Sequence, residues 1–389
     1  MSVPGDPYDG CLRELHAHAA ASLPEHTPWF DCHTHTGWHD PDGYTATAEE
    51  IAAGLERAGH GRGLVFSLQE PGGYPAANDR VLAEAAASGG RLRPVCRVNP
   101  HAGALAEARR AVAAGAVGIK LHPRAEQFAL HDPGVEEVVA FAGERRLPVV
   151  IHAGRGIPAL GRDAVELARR HPGARLILAH AGISDLAWIW RPARELPNLL
   201  FDTAWWNVAD LMALFALVPP GQLLYASDMP YGNAILSSLI LLRIGRAVGL
   251  SDDALACIAG GQLERLLAGE EPADLGPAPG PPAAPPALAA DRAVAHLTAA
   301  ISRAFVLADP TEPLALARLA CDVPAIDADG PLLAWVSKLV AIAEAANAEG
   351  AGLAATAIPA LGAAIVAGTP GVGAPPTGSG RGGPNDIPG

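Results

Sequence analysis

From about residue 29 to residue 249 the chain alternates two hydrophobic patterns. Short runs of β-branched and aliphatic residues are followed by Ala-rich segments whose apolar positions recur at helical spacing. The short runs predict strands over Trp29–His35, Gly63–Leu68, Leu92–Asn99, Val117–Pro123, Pro148–Gly154, Arg175–Gly182, Asn198–Thr203 and Gln222–Asp228. The segments between them predict helices over Ala48–Ala58, Asn78–Ala87, Ala102–Ala114, Val135–Arg145, Ala159–His171, Asp185–Leu196 and Val208–Val218, and Ala234–Val248 follows the last strand. Eight strands and eight helices over about 220 residues match a (β/α)8 TIM-type barrel in count and size. A doubly wound open sheet is the competing architecture. It calls for a Gly-rich phosphate loop after the first strand, and here that loop carries histidines.

The flanks read differently. Residues 1–28 hold one helix, with Leu12, Leu15 and Ala19 on one face; His16 and His18 diverge on it and are expected at the surface. The barrel region is 29–268. It closes with helix over Ser251–Leu267, where Ser251 is a suitable N-cap ahead of Asp252 and Asp253. Residues 269–286 are a Pro/Ala/Gly linker, 287–368 a helical appendage (Leu297, Ile301, Phe305; Leu332, Leu333, Val336, Leu339), and 369–389 a Gly- and Pro-rich tail expected to be disordered. The Ala-rich stretch Gly352–Gly368 is too short to span a bilayer and is interrupted by Pro359, so buried helix is expected and no membrane contact.

Composition narrows the partners. Half of the 389 residues are apolar, which fits a folded chain with a large core. A formal charge of −13 argues against nonspecific nucleic-acid binding. Five scattered cysteines without paired spacing, and no basic-then-apolar leader at the start, fit a cytoplasmic protein. The expected partner is a small-molecule substrate; a homo-oligomer is compatible with the sequence, which does not fix the assembly state.

The chemistry lies at strand ends. In Asp31-Cys32-His33-Thr34-His35 the two histidines are two apart on a strand and project to one face, where neutral imidazoles can grip one divalent cation. Cys32 is then expected to face the helix layer, as packing. Strand four finishes with Lys120 and His122 on one face, strand five with His152, strand six with His180 and strand eight with Asp228, each beside a Gly or Pro. Those are the junctions where a barrel keeps its active site. Arg124 and Arg155 follow strands four and five and could clamp a substrate carboxylate, although an arginine in a loop is more often simply exposed. Trp38, Trp205, Trp206 and Tyr231 fall in loops on the same face; if they converge, a flat or apolar substrate is favoured.

His33-Thr34-His35, His152, His180 and Asp228 in that order, with Gly118-Ile119-Lys120-Leu121-His122-Pro123 and Ser227-Asp228-Met229-Pro230, resemble the amidohydrolase superfamily, and most closely its amidohydrolase-related branch. Gly260-Gly261-Gln262-Leu263-Glu264-Arg265-Leu266-Leu267 resembles its closing helix, with Gln262 where Asn is usual. The resemblance covers about residues 29–267. It implies a divalent metal, zinc first with manganese or iron also suited, held by His33, His35, His152 and Asp228, with His180 beside the bound water. It implies hydrolysis of a C–N or C–O bond by metal-activated water, Asp228 moving the proton and His180 steadying the oxyanion. Nonoxidative decarboxylation of a small unsaturated or aromatic acid is the runner-up, and a non-catalytic barrel scaffold the third possibility. Lys120 stands open between a carboxylated ligand of two metals, an ammonium that binds a substrate anion, and a structural salt bridge. His122 either binds substrate or caps its strand.

Overall fold

The computed structural model describes residues 7–154, 159–283, 286–324 and 328–376. These divide into two compact units, one holding residues 20–154 and 159–283 and the other residues 7–19 with 286–324 and 328–376.

In the first unit, parallel strands follow one another in chain order. They are β1 (Phe30–Thr36), β2 (Arg62–Ser67), β3 (Leu92–Pro94), β4 (Cys96–Arg97), β5 (Ile119–Leu121), β6 (Pro148–Ile151), β7 (Arg175–Leu178), β8 (Leu199–Asp202) and β9 (Leu223–Leu224). β3 and β4 together occupy one barrel position. Pro94 has no N–H to give, so the ladder breaks there; Val95 then donates to Val65 O at 2.9 Å, and β4 pairs with β5. The ring closes between the last strand and the first: Cys32 N–H donates to Tyr225 O (3.0 Å), Asp228 N–H to His33 O (2.9 Å) and His35 N–H to Met229 O (2.8 Å). Closure leaves no open sheet edge, and the fold is a (β/α)8 barrel.

The strands are short because both of their faces are buried and polar residues take over where they end. Helices α2 (Ala48–Arg57), α3 (Pro75–Ala87), α4 (Ala104–Ala113), the one-turn α5 (Pro123–Glu126), α6 (Pro133–Arg145), α7 (Gly161–Arg170), α8 (Leu186–Ala193), α9 (Val208–Leu217) and α10 (Ala234–Ala247) intervene, with α1 (Asp9–Ala20) preceding the barrel. Local chemistry starts several of them. Thr47 and Glu50 form a capping box on α2, and Pro75 and Pro133 sit in the first turns of α3 and α6. Ser251 caps α11 (Asp252–Ala256) as its sequence suggests, by accepting from Ala254 N–H at 3.2 Å. A π-turn then leads into α12 (Gln262–Leu267). Gly260 lies in that turn, where a Cβ would come within 1.5 Å of Pro28 O, so no other residue fits.

The 269–286 segment begins as a strap tied to the barrel. Arg265 Nε donates to Glu271 O (3.1 Å), Ala273 N–H to Gln262 Oε1 (2.9 Å) and Gly280 N–H to Ala216 O (3.0 Å), while Gln262 Nε2 donates to Gly221 O. The longer Gln262 side chain thus bridges two backbone segments.

Cys32 departs from expectation. The register of β1 shifts between Asp31 and Thr34, so strict alternation fails and Cys32 joins the buried cluster of Phe30, Leu64, Phe66, Val150, Ile177, Leu200 and Leu224. It remains packing, and burial holds its thiol well above its ordinary pKa.

The second unit is helical. It holds α1, α13 (Leu288–Phe305), α14 (Thr311–Ala320), α15 (Gly330–Ala348) and α16 (Leu353–Gly368). Its buried residues include Leu12, Leu15 and Ala19 of α1, Leu297 of α13, Leu333, Val336 and Leu339 of α15, and Ile365 of α16. Pro359 is accommodated inside α16. His16 is half-buried and not superficial, and burial pushes its pKa down to about 4. No helix among the described residues is long and apolar enough to cross a membrane. Residues 377–389 of the tail lie outside the described residues.

Candidate metal centre

At the C-terminal end of the barrel, His33 and His35 of β1 meet Asp228, just past β9. His33 Nε2 and His35 Nε2 each lie 3.1 Å from Asp228 Oδ1. One donor atom from each of the three buried residues falls within 4.8 Å of the others. The backbone is bent to achieve this. Asp228 is a non-glycine residue at φ +57°, held by its N–H to His33 O and by Gly232 N–H donating to Asp228 O at 3.0 Å. Gly232 is itself required: a Cβ there would approach Ser227 O to 2.0 Å.

His152 follows β6 directly. His180 opens a single 3-10 turn after β7, in which His180, Ala181 and Gly182 stand at φ +57°, +60° and +56°. His180 Nδ1 lies 2.9 Å from Ala204 O and 4.0 Å from Asp228 Oδ2, and His180 Nε2 lies 3.1 Å from His152 Nδ1. All five sequence-nominated residues are therefore gathered. Three form the tight group, and His152 joins it through His180.

Burial sets the electrostatics. It holds His33 and His35 well below the ordinary histidine pKa, with Lys120 and neighbouring imidazoles adding to the effect, so both rings are neutral near pH 7. Burial likewise raises the Asp228 carboxyl well above the usual carboxylate range, against the pull of the Lys120 ammonium. Two neutral imidazoles converging on a carboxylate that is costly to ionise when buried alone are a donor set that a divalent cation fits. His35 Nδ1 is buried without a hydrogen-bond partner among the described residues.

Lys120 is wholly buried, and burial lowers its pKa to about 8. Its Nζ lies 3.4 Å from His33 Nε2 and 4.7 Å from the Phe66 ring centre. No carboxylate among the described residues comes within ion-pair distance of it. His122 stacks on His152 (ring centres 4.0 Å apart), and its Nδ1 accepts from Ala125 N–H at 3.2 Å, which caps α5. Arg124 is exposed, and Arg155 lies outside the described residues. Of the nominated aromatics, Tyr231 packs 5.4 Å from His35 and Trp205 6.4 Å from His180, while Trp38 is 49% exposed under Arg80.

Three residues join the site that the sequence reading passed over. Asp202, at the end of β8, places Oδ2 2.7 Å from His33 Nδ1 and accepts at Oδ1 from His180 N–H (2.8 Å) and Ala204 N–H (3.0 Å). Asp31 Oδ1 accepts from His33 N–H and Ser227 N–H, both at 3.0 Å, which ties β1 to the loop carrying Asp228. Arg97, at the end of β4, is buried and paired with Glu126 at 2.7 Å. For Arg97 and Asp202 the available signal was a polar residue closing a strand, and for Asp31 a carboxylate near the start of one, but no spacing rule couples them to the histidines.

Comparisons with known proteins bear on the whole barrel. No curated protein matches the chain. Among solved structures, an uncharacterised TIM-barrel protein from Bordetella bronchiseptica is 17% identical with a TM-score of 0.52 (62% of this chain, 99% of that one). 5-Carboxyvanillate decarboxylase from Sphingomonas paucimobilis is 19% identical with a TM-score of 0.51 (62% and 99%). 2,6-Dihydroxybenzoate decarboxylase from Rhizobium is 14% identical with a TM-score of 0.51 (62% and 98%). At such identities the likeness is one of fold. The family model described as Amidohydrolase matches residues 30–267, more than half of the chain and the whole span of the barrel, so the protein belongs to the amidohydrolase family.

Proposed function

We propose that the protein is a metal-dependent hydrolase acting on a C–N or C–O bond of a small substrate, with His33, His35, His152 and Asp228 as metal ligands. The convergence of two neutral histidines on the buried Asp228 carries this reading. Zinc suits the mixed nitrogen and oxygen donors, and manganese or iron would also fit them. The ion, when bound, supplies Lewis-acid polarisation and water that ionises near neutral pH. Asp228 accepts the proton of the attacking water and returns it to the leaving group. His180, 4.0 Å from Asp228, steadies the developing oxyanion. Lys120, a buried cation with no carboxylate within ion-pair distance among the described residues, anchors an anionic group of the substrate.

A second reading is decarboxylation of a small unsaturated acid on the same ligands. It is favoured by the Tyr231 and Trp205 rings beside His35 and His180, together with the buried Lys120. The test is an assay of the metal-loaded chain on esters, lactones and amides for acid release, and on unsaturated acids for CO2 release. Metal-dependent acid release is expected. CO2 release alone would transfer the assignment to the second reading, and no metal-dependent turnover of either kind would overturn both.

A further inference from the structure

The histidines gathered at the barrel mouth are useful as ligands only with a lone pair on the nitrogen that faces the cation, and neutral imidazole has two tautomers. Hydrogen bonds on the far side of each ring decide which one is present. Those bonds lead back to one place, the three residues Asp202-Thr203-Ala204 at the end of β8.

His33 Nδ1 faces the Asp202 carboxylate at 2.7 Å, and a carboxylate accepts, so the proton of His33 sits on Nδ1 and its Nε2 carries the lone pair. His33 Nε2 also faces a carboxylate oxygen, Asp228 Oδ1 at 3.1 Å, but the Asp202 contact is shorter by 0.4 Å, and His35 Nε2 stands equally near that Asp228 oxygen to donate to it. Lys120 Nζ, which only donates, lies 3.4 Å from His33 Nε2. His180 Nδ1 faces Ala204 O at 2.9 Å, and a carbonyl also only accepts, so His180 is protonated on Nδ1 with its lone pair on Nε2. That lone pair faces His152 Nδ1 at 3.1 Å, which must then donate, so the lone pair of His152 is on Nε2. Ala204 is held in place because its N–H donates to Asp202 Oδ1 at 3.0 Å, and the same oxygen takes the His180 N–H at 2.8 Å, in the left-handed turn.

We infer that Asp202 is a positioning residue that sets the tautomers of His33 directly, and of His180 and then His152 through Ala204, so that each offers Nε2 as an acceptor. This deepens the metal-site reading above and rests on it for its functional meaning, whereas the tautomers themselves do not. Asp202→Asn is the informative change because it keeps the size and removes the symmetry of the acceptors. If the Asn oxygen faces the two backbone N–H groups, its NH2 faces His33 Nδ1, which must accept. The His33 proton then moves to Nε2 and blocks the ligand lone pair. If the amide is reversed, its NH2 meets two donors and the His180 turn loses its anchor.

The experiment uses the full chain, metal-free, with 15N-labelled histidine, in wild-type and Asp202→Asn forms. Ring-nitrogen spectra near neutral pH report the tautomers, and chelator competition reports Zn2+ affinity. For the wild type, Nδ1-protonated His33, His180 and His152 are expected. For the variant, an Nε2-protonated His33 and a 10- to 100-fold loss of Zn2+ affinity are expected, the range usual for partners of metal-bound histidines. Wild-type His33 protonated on Nε2, or a variant that keeps both tautomer and affinity, overturns the inference. Should Asp202→Asn fail to fold, the wild-type spectrum still decides. A wild type with the expected tautomers and no Zn2+ affinity would contradict the metal-site reading and leave the tautomer assignment standing.

Discussion

Replacing Gly232 with alanine tests the geometry at its tightest point. The added Cβ would sit 2.0 Å from Ser227 O and 3.2 Å from Trp206 Cζ2. Ordinary contact begins near 3.4 Å, so Ser227 O must retreat by roughly 1.4 Å, and it is backbone next to Asp228. Asp228 in turn is fixed by its N–H to His33 O and by the Gly232 N–H itself. Strain of this kind costs about 1–3 kcal/mol of stability when the chain yields locally. A carboxylate moved by about 1 Å costs far more in function, on the order of 100-fold. The expected result for Gly232→Ala is a folded barrel, lower in melting temperature by several degrees, with Zn2+ affinity and turnover reduced by about two orders of magnitude. Gly72→Ala is the control, since a Cβ there meets nothing within 4 Å. Thermal melting, chelator competition and steady-state rates on the three proteins make the comparison. A Gly232→Ala protein that binds metal and turns over like the wild type would refute the reasoning.

Other expectations follow from single sites. Lys120→Met removes a buried ammonium, so the metal-free protein should gain stability against urea at pH 7 while KM for anionic substrates rises; Trp fluorescence reports on the barrel, which holds six of the seven tryptophans. A less stable variant with unchanged KM would contradict the anchoring role. His16 has a folded pKa of about 4 against 6.5 in an unfolded chain, so the unfolded state binds more protons between those values. Stability of the helical unit should therefore fall as pH drops from 6.5 towards 4, and His16→Gln should flatten that slope in urea melts followed by circular dichroism. An unchanged slope would count against it. His152→Ala should weaken Zn2+ binding without unfolding the barrel; equal affinity in the two proteins would remove His152 from the ligand set.

The barrel was legible because its strands are buried on both faces and its helices on one, and those two periods are what a sequence displays. The gathered polar residues were legible for a related reason: His152, His180 and Asp228 interrupt apolar runs where a strand gives way to its loop, and His33 and His35 stand two apart in the first strand. What escaped depends on partners far away in the chain. Asp202 ends an unremarkable Leu-Leu-Phe-Asp run, and its significance lies in His33, 169 residues earlier. The facing of Cys32 was misjudged because a register shift in β1 breaks the alternation on which the expectation rested. His16 is half-buried although its own helix reads as solvated on that side, and a local window does not show what packs against a helix. The packed start of the 269–286 segment turns on single bonds from Gln262 and Arg265, invisible beneath a Pro- and Gly-rich composition.

The central claim is that His33, His35 and Asp228 close on one divalent cation, and metal analysis of the full chain tests it most directly. After chelator treatment and reconstitution with Zn2+, about one ion per chain should remain in the wild type after gel filtration, and His33→Ala and Asp228→Ala should retain little or none while still folded. A wild type that holds no ion, or variants that hold as much as the wild type, would contradict it.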